Sequence, residues 1–162
     1  MQLLDPAHPT EQFYELIKQL VRLHMQHIKS HIEFKSSLPA DAYRNEFKTI
    51  RVSSARQIGH TYTALKLLRE LPGSILAVHS VHRARMLERQ NKDLTGRISG
   101  LDFLYQELIK APQTGQPARL IPLLIVDTAG LLEGRGNKAP KLENIIRQFD
   151  QTYDVKLFLY LE

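Results

Sequence analysis

The sequence predicts an α/β fold: a mostly parallel sheet with helices on both faces, preceded by a long N-terminal helix. Three observations predict it. Short apolar runs alternate with helical segments from about residue 40 onward, residues 120–126 form an apolar run of strand length, and Pro72-Gly73 ends one of the helical segments. Strands that alternate with helices pair in parallel, and the crossover helices cover both faces of the sheet.

The N-terminal part of the chain predicts one long amphipathic helix over residues 11–32, with Thr10 as its N-cap. Its apolar positions recur at helical spacing: Phe13, Ile17, Leu20, Val21, Ile28 and Ile32. Residues 35–40 include two serines and Pro39, which indicate a break after the helix. We therefore expect a helical appendage over residues 1–39 and a P-loop-like α/β domain over residues 40–162.

The rest of the chain supplies the strands and helices of the predicted sheet. Four apolar runs are predicted strands: residues 47–53, 74–80, 120–126 and 155–161. Helical spacing indicates four helices: residues 61–71, 81–91, 101–109 and 142–153. The run over residues 120–126 is assigned to one buried strand by its length and composition, although it contains Pro122.

Composition restricts the class of protein. The chain has 162 residues, of which 43% are hydrophobic, enough for one core and too few for two well-packed domains. No apolar run approaches the ~20 residues of a membrane-spanning helix, so we expect a soluble cytoplasmic protein with no membrane contact. The chain has no cysteine, which excludes disulfides, thiol catalysis and thiolate zinc sites.

The charge of the chain favours polyanionic partners without specifying one. The formal net charge is +5, which attracts nucleic acid by non-specific electrostatics. The basic residues are spread along the chain, without the Lys/Arg block of a basic arm. DNA contact through a basic surface and an ordinary solvated surface are both open at this stage.

The first strand-to-helix turn is the predicted ligand site, because ligands bind at the carboxyl ends of the strands in such sheets. A phosphate-binding loop needs small residues, a following helix N-terminus, a cation and a hydroxyl for magnesium. Ser54 falls at the first glycine position of such a loop and Gly59 at the second. His60 then occupies the lysine position, and Thr61 the magnesium position.

The run Ala55-Arg56-Gln57-Ile58-Gly59-His60-Thr61 resembles the Walker A segment of phage terminase large-subunit ATPases, whose loops often read Arg-Gln, an apolar residue, Gly, a variable residue and Thr or Ser. The resemblance implies a P-loop fold, ATP as ligand and a role in moving phage DNA in the host cytoplasm. It implies that the loop residues contact the phosphates: Ser54, Arg56, Gln57, Gly59, His60 and Thr61.

The loop departs from that family at two positions. His60 replaces the lysine, and a neutral imidazole lacks the permanent charge that lysine places between the outer phosphates. Arg56 is the basic residue within the loop that would supply it. Ser54 restricts the backbone where glycine is usual. In the alternative interpretation, Gly59 caps a turn, His60 and Thr61 begin a helix, and Arg56 is a solvated surface charge.

A second motif ends the most apolar run of the chain. Leu123-Leu124-Ile125-Val126-Asp127 has the form of a Walker B strand, in which Asp127, with Thr61, holds the Mg²⁺ of bound ATP. Thr128 stands where a motor ATPase has its catalytic Glu, so we expect slow hydrolysis unless Glu133 folds back to replace it. The run from Asp127 to Gly130 also fits a GTPase switch, or a simple turn cap.

Two clusters outside these motifs are further candidates. His24, His27 and His31 lie along one stripe of the N-terminal helix, where packing or an interface is favoured over a metal site. A basic cluster follows the second predicted strand and either contacts phosphates or forms a solvated helix face: His79, His82, Arg83, Arg85 and Arg89.

Two functions are compatible with these residues. The first is a nucleotide-binding, P-loop NTPase-like protein that takes ATP with Mg²⁺, is at most a weak ATPase, and acts in phage DNA packaging or handling. The coupling motif and nuclease domain of a full terminase are not visible, so we expect a small relative or a shortened ATPase domain. The alternative is a non-enzymatic pseudo-ATPase, a regulatory or accessory factor whose N-terminal helix binds a protein partner or a second copy.

Overall fold

Five parallel strands form the central sheet of this computed structural model, which describes residues 9–54, 58–101, 119–127 and 139–162. The strands are β1 (Thr49–Val52), β2 (Ile75–Val78), β3 (Ile98–Gly100), β5 (Leu124–Asp127) and β7 (Phe158–Leu161), and a second, two-stranded sheet pairs β4 (Leu120–Ile121) with β6 (Asp154–Val155). The α-helices are α1 (Pro9–Ser30), α2 (Ala40–Phe47), α3 (His60–Glu70), α4 (Val81–Gln90) and α5 (Ala139–Thr152). Short 3₁₀ helices cover Ile32–Lys35 and Lys92–Leu94.

The strand order of the central sheet is β1-β7-β5-β2-β3, and every pair is parallel. The register brings the carboxyl ends of the strands to one edge. Val52 at the end of β1 and Asp127 at the end of β5 both pair with Leu161 of β7. At the same edge Val78, the last residue of β2, pairs with Gly100. The loops that follow these strands therefore leave the sheet at one level.

Side chains of the central strands alternate between two buried clusters, one on each face of the sheet. Leu76, Ile125 and Leu159 pack with α1, α3 and α4 on one face, whereas Ala77, Val126 and Phe158 pack with α5 on the other. A parallel sheet whose strands are apolar on both sides requires cover on both faces. The predicted α/β fold with helices on both faces and a long N-terminal helix is confirmed.

The predicted strand over residues 120–126 is wrong as a single element. It divides at Pro122 into β4 and β5, which belong to different sheets. Proline has no N–H to donate to a strand ladder, so the pairing of β4 cannot continue through it. The predicted strand over residues 155–161 divides in the same way into β6 and β7, because β6 follows β4 into the small sheet.

Two short elements were not predicted. The helix α2 ends at Phe47, which the sequence assigned to the first strand, and β1 begins only at Thr49. The strand β3 has three residues, too few for an alternating pattern to be recognised. The predicted helix over residues 101–109 lies outside the described residues from position 102 onward.

The helix α1 packs against α3, and its buried side chains belong to the core cluster on that face of the sheet: Phe13, Tyr14, Ile17 and Val21. The Tyr14 hydroxyl donates a hydrogen bond to Glu70 on α3. The division of the chain between residues 39 and 40 stays a prediction.

A second stripe of α1 is solvent-exposed: Leu16 (55%), Leu20 (38%) and Leu23 (63%). No helix in the described ranges combines the length and apolar character that crossing a membrane requires.

Gly100 lies where the end of β3 meets the start of α4. A Cβ at this position would lie 2.6 Å from the backbone nitrogen of Val81 and 2.9 Å from the carbonyl carbon of Ser80. Backbone atoms cannot move aside as a side chain can. We expect Gly100→Ala to lower the free energy of unfolding by about 1–3 kcal/mol in urea denaturation. Ser99→Ala, on the same strand, is the matched control, and an equal effect of the two substitutions would contradict the contact.

Candidate functional site

The candidate site begins where α3 starts. Gly59 is the N-cap of α3 and has a left-handed backbone, with φ of 104°. A Cβ at this position would lie 2.5 Å from Cγ2 of Thr10 on α1. Glycine is therefore required at position 59 both by its backbone angle and by the close approach of α1. Gly59 has no side chain, so the N-cap residue itself makes no hydrogen bond to the first amides of α3.

His60, at the position of the Walker A lysine, takes part in internal contacts. Its Nε2 shares a hydrogen bond of 2.5 Å with Oγ of Ser54, and its ring centroid lies 5.4 Å from that of Phe13 on α1. The structure thus brings Ser54 and His60 into contact, whereas their role in binding phosphate stays a prediction. The His60 side chain connects the start of the loop to the core instead of extending as a free cation.

Thr61, the predicted magnesium ligand, contacts α4. Its Oγ1 accepts a hydrogen bond of 3.3 Å from Nη2 of Arg83, and both residues are half-buried. Arg83 was one of five basic residues that the sequence offered as phosphate contacts. The structure places its guanidinium beside the first turn of α3, whereas His79, His82, Arg85 and Arg89 are exposed. A permanent positive charge therefore lies beside the first turn of α3.

Asp127 lies at the same edge of the sheet. It is the last residue of β5, only 9% exposed, and level with Val52 because both pair with Leu161. The strand β7 separates β1 from β5, so the two strands lie roughly 10 Å apart at the usual spacing. The sequence-predicted carboxylate and the start of the loop after β1 thus lie at the same edge of the sheet, on strands that β7 separates.

Part of the predicted site lies outside the described residues. This applies to Arg56 and Gln57 in the loop after β1, and to Thr128 and Glu133 after β5. Two expectations therefore stay predictions: that Arg56 supplies the charge of the missing lysine, and that Glu133 replaces the catalytic Glu. Within the described ranges, no group of three or more His, Asp or Glu side chains is placed to hold a metal ion.

The start of the loop is attached to the end of β7, which sequence reasoning missed. The Ser54 amide donates to the carbonyl of Glu162 (3.3 Å), and Oγ of Ser53 donates to its carboxylate (3.2 Å). Arg51 pairs with the same carboxylate at 3.0 Å. No motif signals these contacts, because they depend on β1 and β7 being neighbours. The Ser54 amide is consequently committed to the sheet.

The histidines of α1 pack against α2. The ring centroids of His27 and His31 lie 4.1 Å apart. Both rings stack on Phe47, with centroid distances of 6.0 Å for His27 and 5.9 Å for His31. Burial lowers the pKa of His24, whose buried Nε2 has no hydrogen-bond partner in the part of the chain that the structure describes. These contacts agree with the packing role that the sequence favoured for the stripe.

The chain matches no protein-family model, no curated protein and no solved structure. The resemblance of the loop to terminase ATPases therefore stays a prediction.

The contact between Gly59 and Thr10 can be tested by a double-mutant cycle. We expect Gly59→Ala to destabilise the protein by about 2–4 kcal/mol, the sum of left-handed strain and the clash with Cγ2. Thr10→Ser removes Cγ2 and should have a small effect alone. In the double variant the clash disappears and only the strain remains, so part of the loss should be recovered in urea denaturation. Strict additivity would show that the two residues are not in contact.

The lowered pKa of His24 predicts a pH dependence of stability. The unfolded chain binds a proton at this residue at a higher pH than the folded chain does, so the free energy of unfolding should fall as the pH drops below about 6.5. His24→Gln should give a shallower fall between pH 7 and pH 5 in urea denaturation. His82→Gln removes an exposed histidine and should leave the slope unchanged; if it changes the slope as much as His24→Gln, burial is not the cause.

Proposed function

We propose that this chain is a nucleotide-binding protein with a P-loop-like site that takes ATP with Mg²⁺ and hydrolyses it slowly or not at all. The observation that carries the proposal is the convergence of loop and carboxylate at one sheet edge. Ser54 and Thr61 follow β1, and Asp127 ends β5 at the same edge of the sheet, which is the edge at which parallel sheets bind their ligands. A role in phage DNA packaging or handling rests on the resemblance of the loop.

Phosphate binding is supported by two features of α3. Its first amides lie at the positive end of the helix and follow a glycine N-cap that makes no side-chain hydrogen bond to them. Arg83 adds a cation at the first turn through its contact with Thr61. A guanidinium binds phosphate oxygens in a bidentate, charge-assisted manner. We therefore assign to Arg83 the electrostatic role that the lysine has in a standard loop.

The metal role assigned to Thr61 and Asp127 fits the chemistry of their donor atoms. A hydroxyl and a carboxylate are the oxygen ligands that Mg²⁺ takes, with water and phosphate oxygens completing its shell. Thr61 also accepts a hydrogen bond from Arg83, so a metal ion and the guanidinium compete for one hydroxyl. When bound, the metal would neutralise phosphate charge. The competition predicts nucleotide binding that depends only modestly on Mg²⁺.

The same residues argue against rapid hydrolysis. His60 is held by Ser54 and Phe13, so it is not available to follow a moving phosphoryl group. The residue after Asp127 is Thr, which cannot serve as a general base. These contacts also favour the alternative, a non-enzymatic protein that keeps the fold and uses α1 to bind a partner. The two functions differ in whether nucleotide binds at all.

Calorimetric titration with ATP, GTP and a non-hydrolysable ATP analogue, with and without Mg²⁺, tests the proposal. We expect saturable binding that Arg83→Gln weakens by roughly tenfold or more, because a charge-assisted hydrogen bond contributes about 1.5–3 kcal/mol. Asp127→Asn should remove the response to Mg²⁺ and leave most of the metal-free affinity.

Arg22→Gln, on the exposed side of α1, is the control for loss of one positive charge and should bind nucleotide as the wild type does. Absence of saturable binding at millimolar nucleotide would exclude the proposed function and leave the non-enzymatic alternative. Equal weakening by Arg22→Gln and Arg83→Gln would show that general charge, and not the contact beside Thr61, determines affinity.

A further inference from the structure

The outward side of α4 carries a row of basic side chains, which we call the basic face: His82, Arg85 and Arg89. Their spacing of three and four residues places them along one side of the helix, and all three are exposed. Arg83 lies on a different side of the same helix and contacts Thr61, so the basic face is separate from the candidate nucleotide site.

The positive charge of the basic face is not neutralised by the described part of the chain. Neither Arg85 nor Arg89 forms an ion pair or hydrogen bond with a residue of the described ranges. The nearest acidic side chains along the chain have other partners. Glu88 accepts a hydrogen bond from the Gly96 amide (2.8 Å), and Asp93 pairs with Arg69 (2.7 Å).

Several cations at the surface elsewhere, exposed or half-buried, are paired. Lys66 contacts Glu11 (2.7 Å), Arg147 contacts Asp41 (3.1 Å), and Lys156 contacts Asp154 (3.0 Å). An arginine on a solvated surface can readily adopt such a pairing when an acidic neighbour is within reach. On the basic face, by contrast, two arginines of one helix have no ion-pair partner among the residues that the structure describes, within a chain of net charge +5. Unpaired arginines in a row attract a polyanion at close range.

The helix under the basic face is firmly positioned. Ala84 and Leu87 are buried in the core, and Oγ of Ser80 caps the helix by accepting from the Arg83 amide (3.1 Å). With a rise of 1.5 Å per residue, Arg85 and Arg89 lie about 6 Å apart along the axis. Cations repeated at this interval on a rigid helix suit a ligand with regularly repeated negative charges.

We propose that the basic face of α4 binds the phosphate backbone of a nucleic acid, with Arg85 and Arg89 on successive phosphates and His82 as an additional hydrogen-bond donor. Guanidinium groups match phosphate oxygens geometrically, and backbone contacts of this kind are independent of base sequence. The inference goes beyond the proposed nucleotide binding and does not rest on it, because Arg83, Thr61 and Asp127 take no part.

Fluorescence anisotropy with 5′-labelled 20-nucleotide single strands and duplexes, over 50–200 mM salt, tests the inference on the full chain. We expect binding that Arg85→Gln/Arg89→Gln weakens by roughly an order of magnitude at 100 mM salt. The slope of log K against log salt concentration should decrease in magnitude by about 1.4–1.8, since each phosphate contact contributes roughly 0.7–0.9.

Lys29→Gln/Lys35→Gln removes the same charge from exposed positions outside the basic face and is the matched control. It should keep the wild-type slope, and both variants should keep the wild-type thermal unfolding temperature. Asp127→Asn should bind the oligonucleotide normally, whatever its nucleotide binding. No binding by the wild type at 50 mM salt would overturn the inference, as would equal losses in both double variants. Equally effective competition by poly-glutamate of the same charge would also overturn it.

Discussion

The position of β7 between β1 and β5 is the constraint on which the rest of the structure depends. Its backbone pairs with both neighbours in one register, so Leu161 fixes the level of Val52 on one side and of Asp127 on the other. The strand is buried along its whole length, and burial raises the pKa of Tyr160 to about 12, which keeps the phenol neutral inside the core. Without this strand the loop after β1 and the carboxylate of β5 would share no edge.

The site at that edge combines features that favour anion binding with contacts that work against rapid chemistry. The start of α3 and the guanidinium of Arg83 provide positive potential, whereas His60 is held by Ser54 and Phe13. Binding requires only charge and accessible donors, while fast phosphoryl transfer also requires a base and groups positioned for the transition state. The described residues supply the charge and donors needed for binding more fully than the base and positioned groups needed for fast phosphoryl transfer.

The sequence predicted the fold class because its central strands are apolar on both sides. This pattern can be recognised in each strand by itself, without knowing which strands are neighbours in the sheet. It did not predict the division of residues 120–126, since the length and composition of the run outweighed Pro122. It assigned Ser54, Gly59, His60, Thr61 and Asp127 to the ends of two strands, and the register of β7 brings those strand ends to one edge, but their role in ligand binding stays a prediction. It offered Arg83 only as one of five basic residues, because reaching Thr61 depends on how α3 and α4 pack. The contacts of Glu162 depend on strand order, which spacing does not encode.

The close approach of Thr10 to Gly59, and of Phe13 to His60, has a mechanical consequence. Both contacts join the N-terminal part of α1 to the start of α3, so a displacement of one helix disturbs the other. A rotation of α1 about its axis would move Thr10 and Phe13 away from Gly59 and His60 and would open a gap beside the start of α3. The geometry of the sheet edge is therefore set partly by a helix that belongs to the opposite end of the sequence from β7.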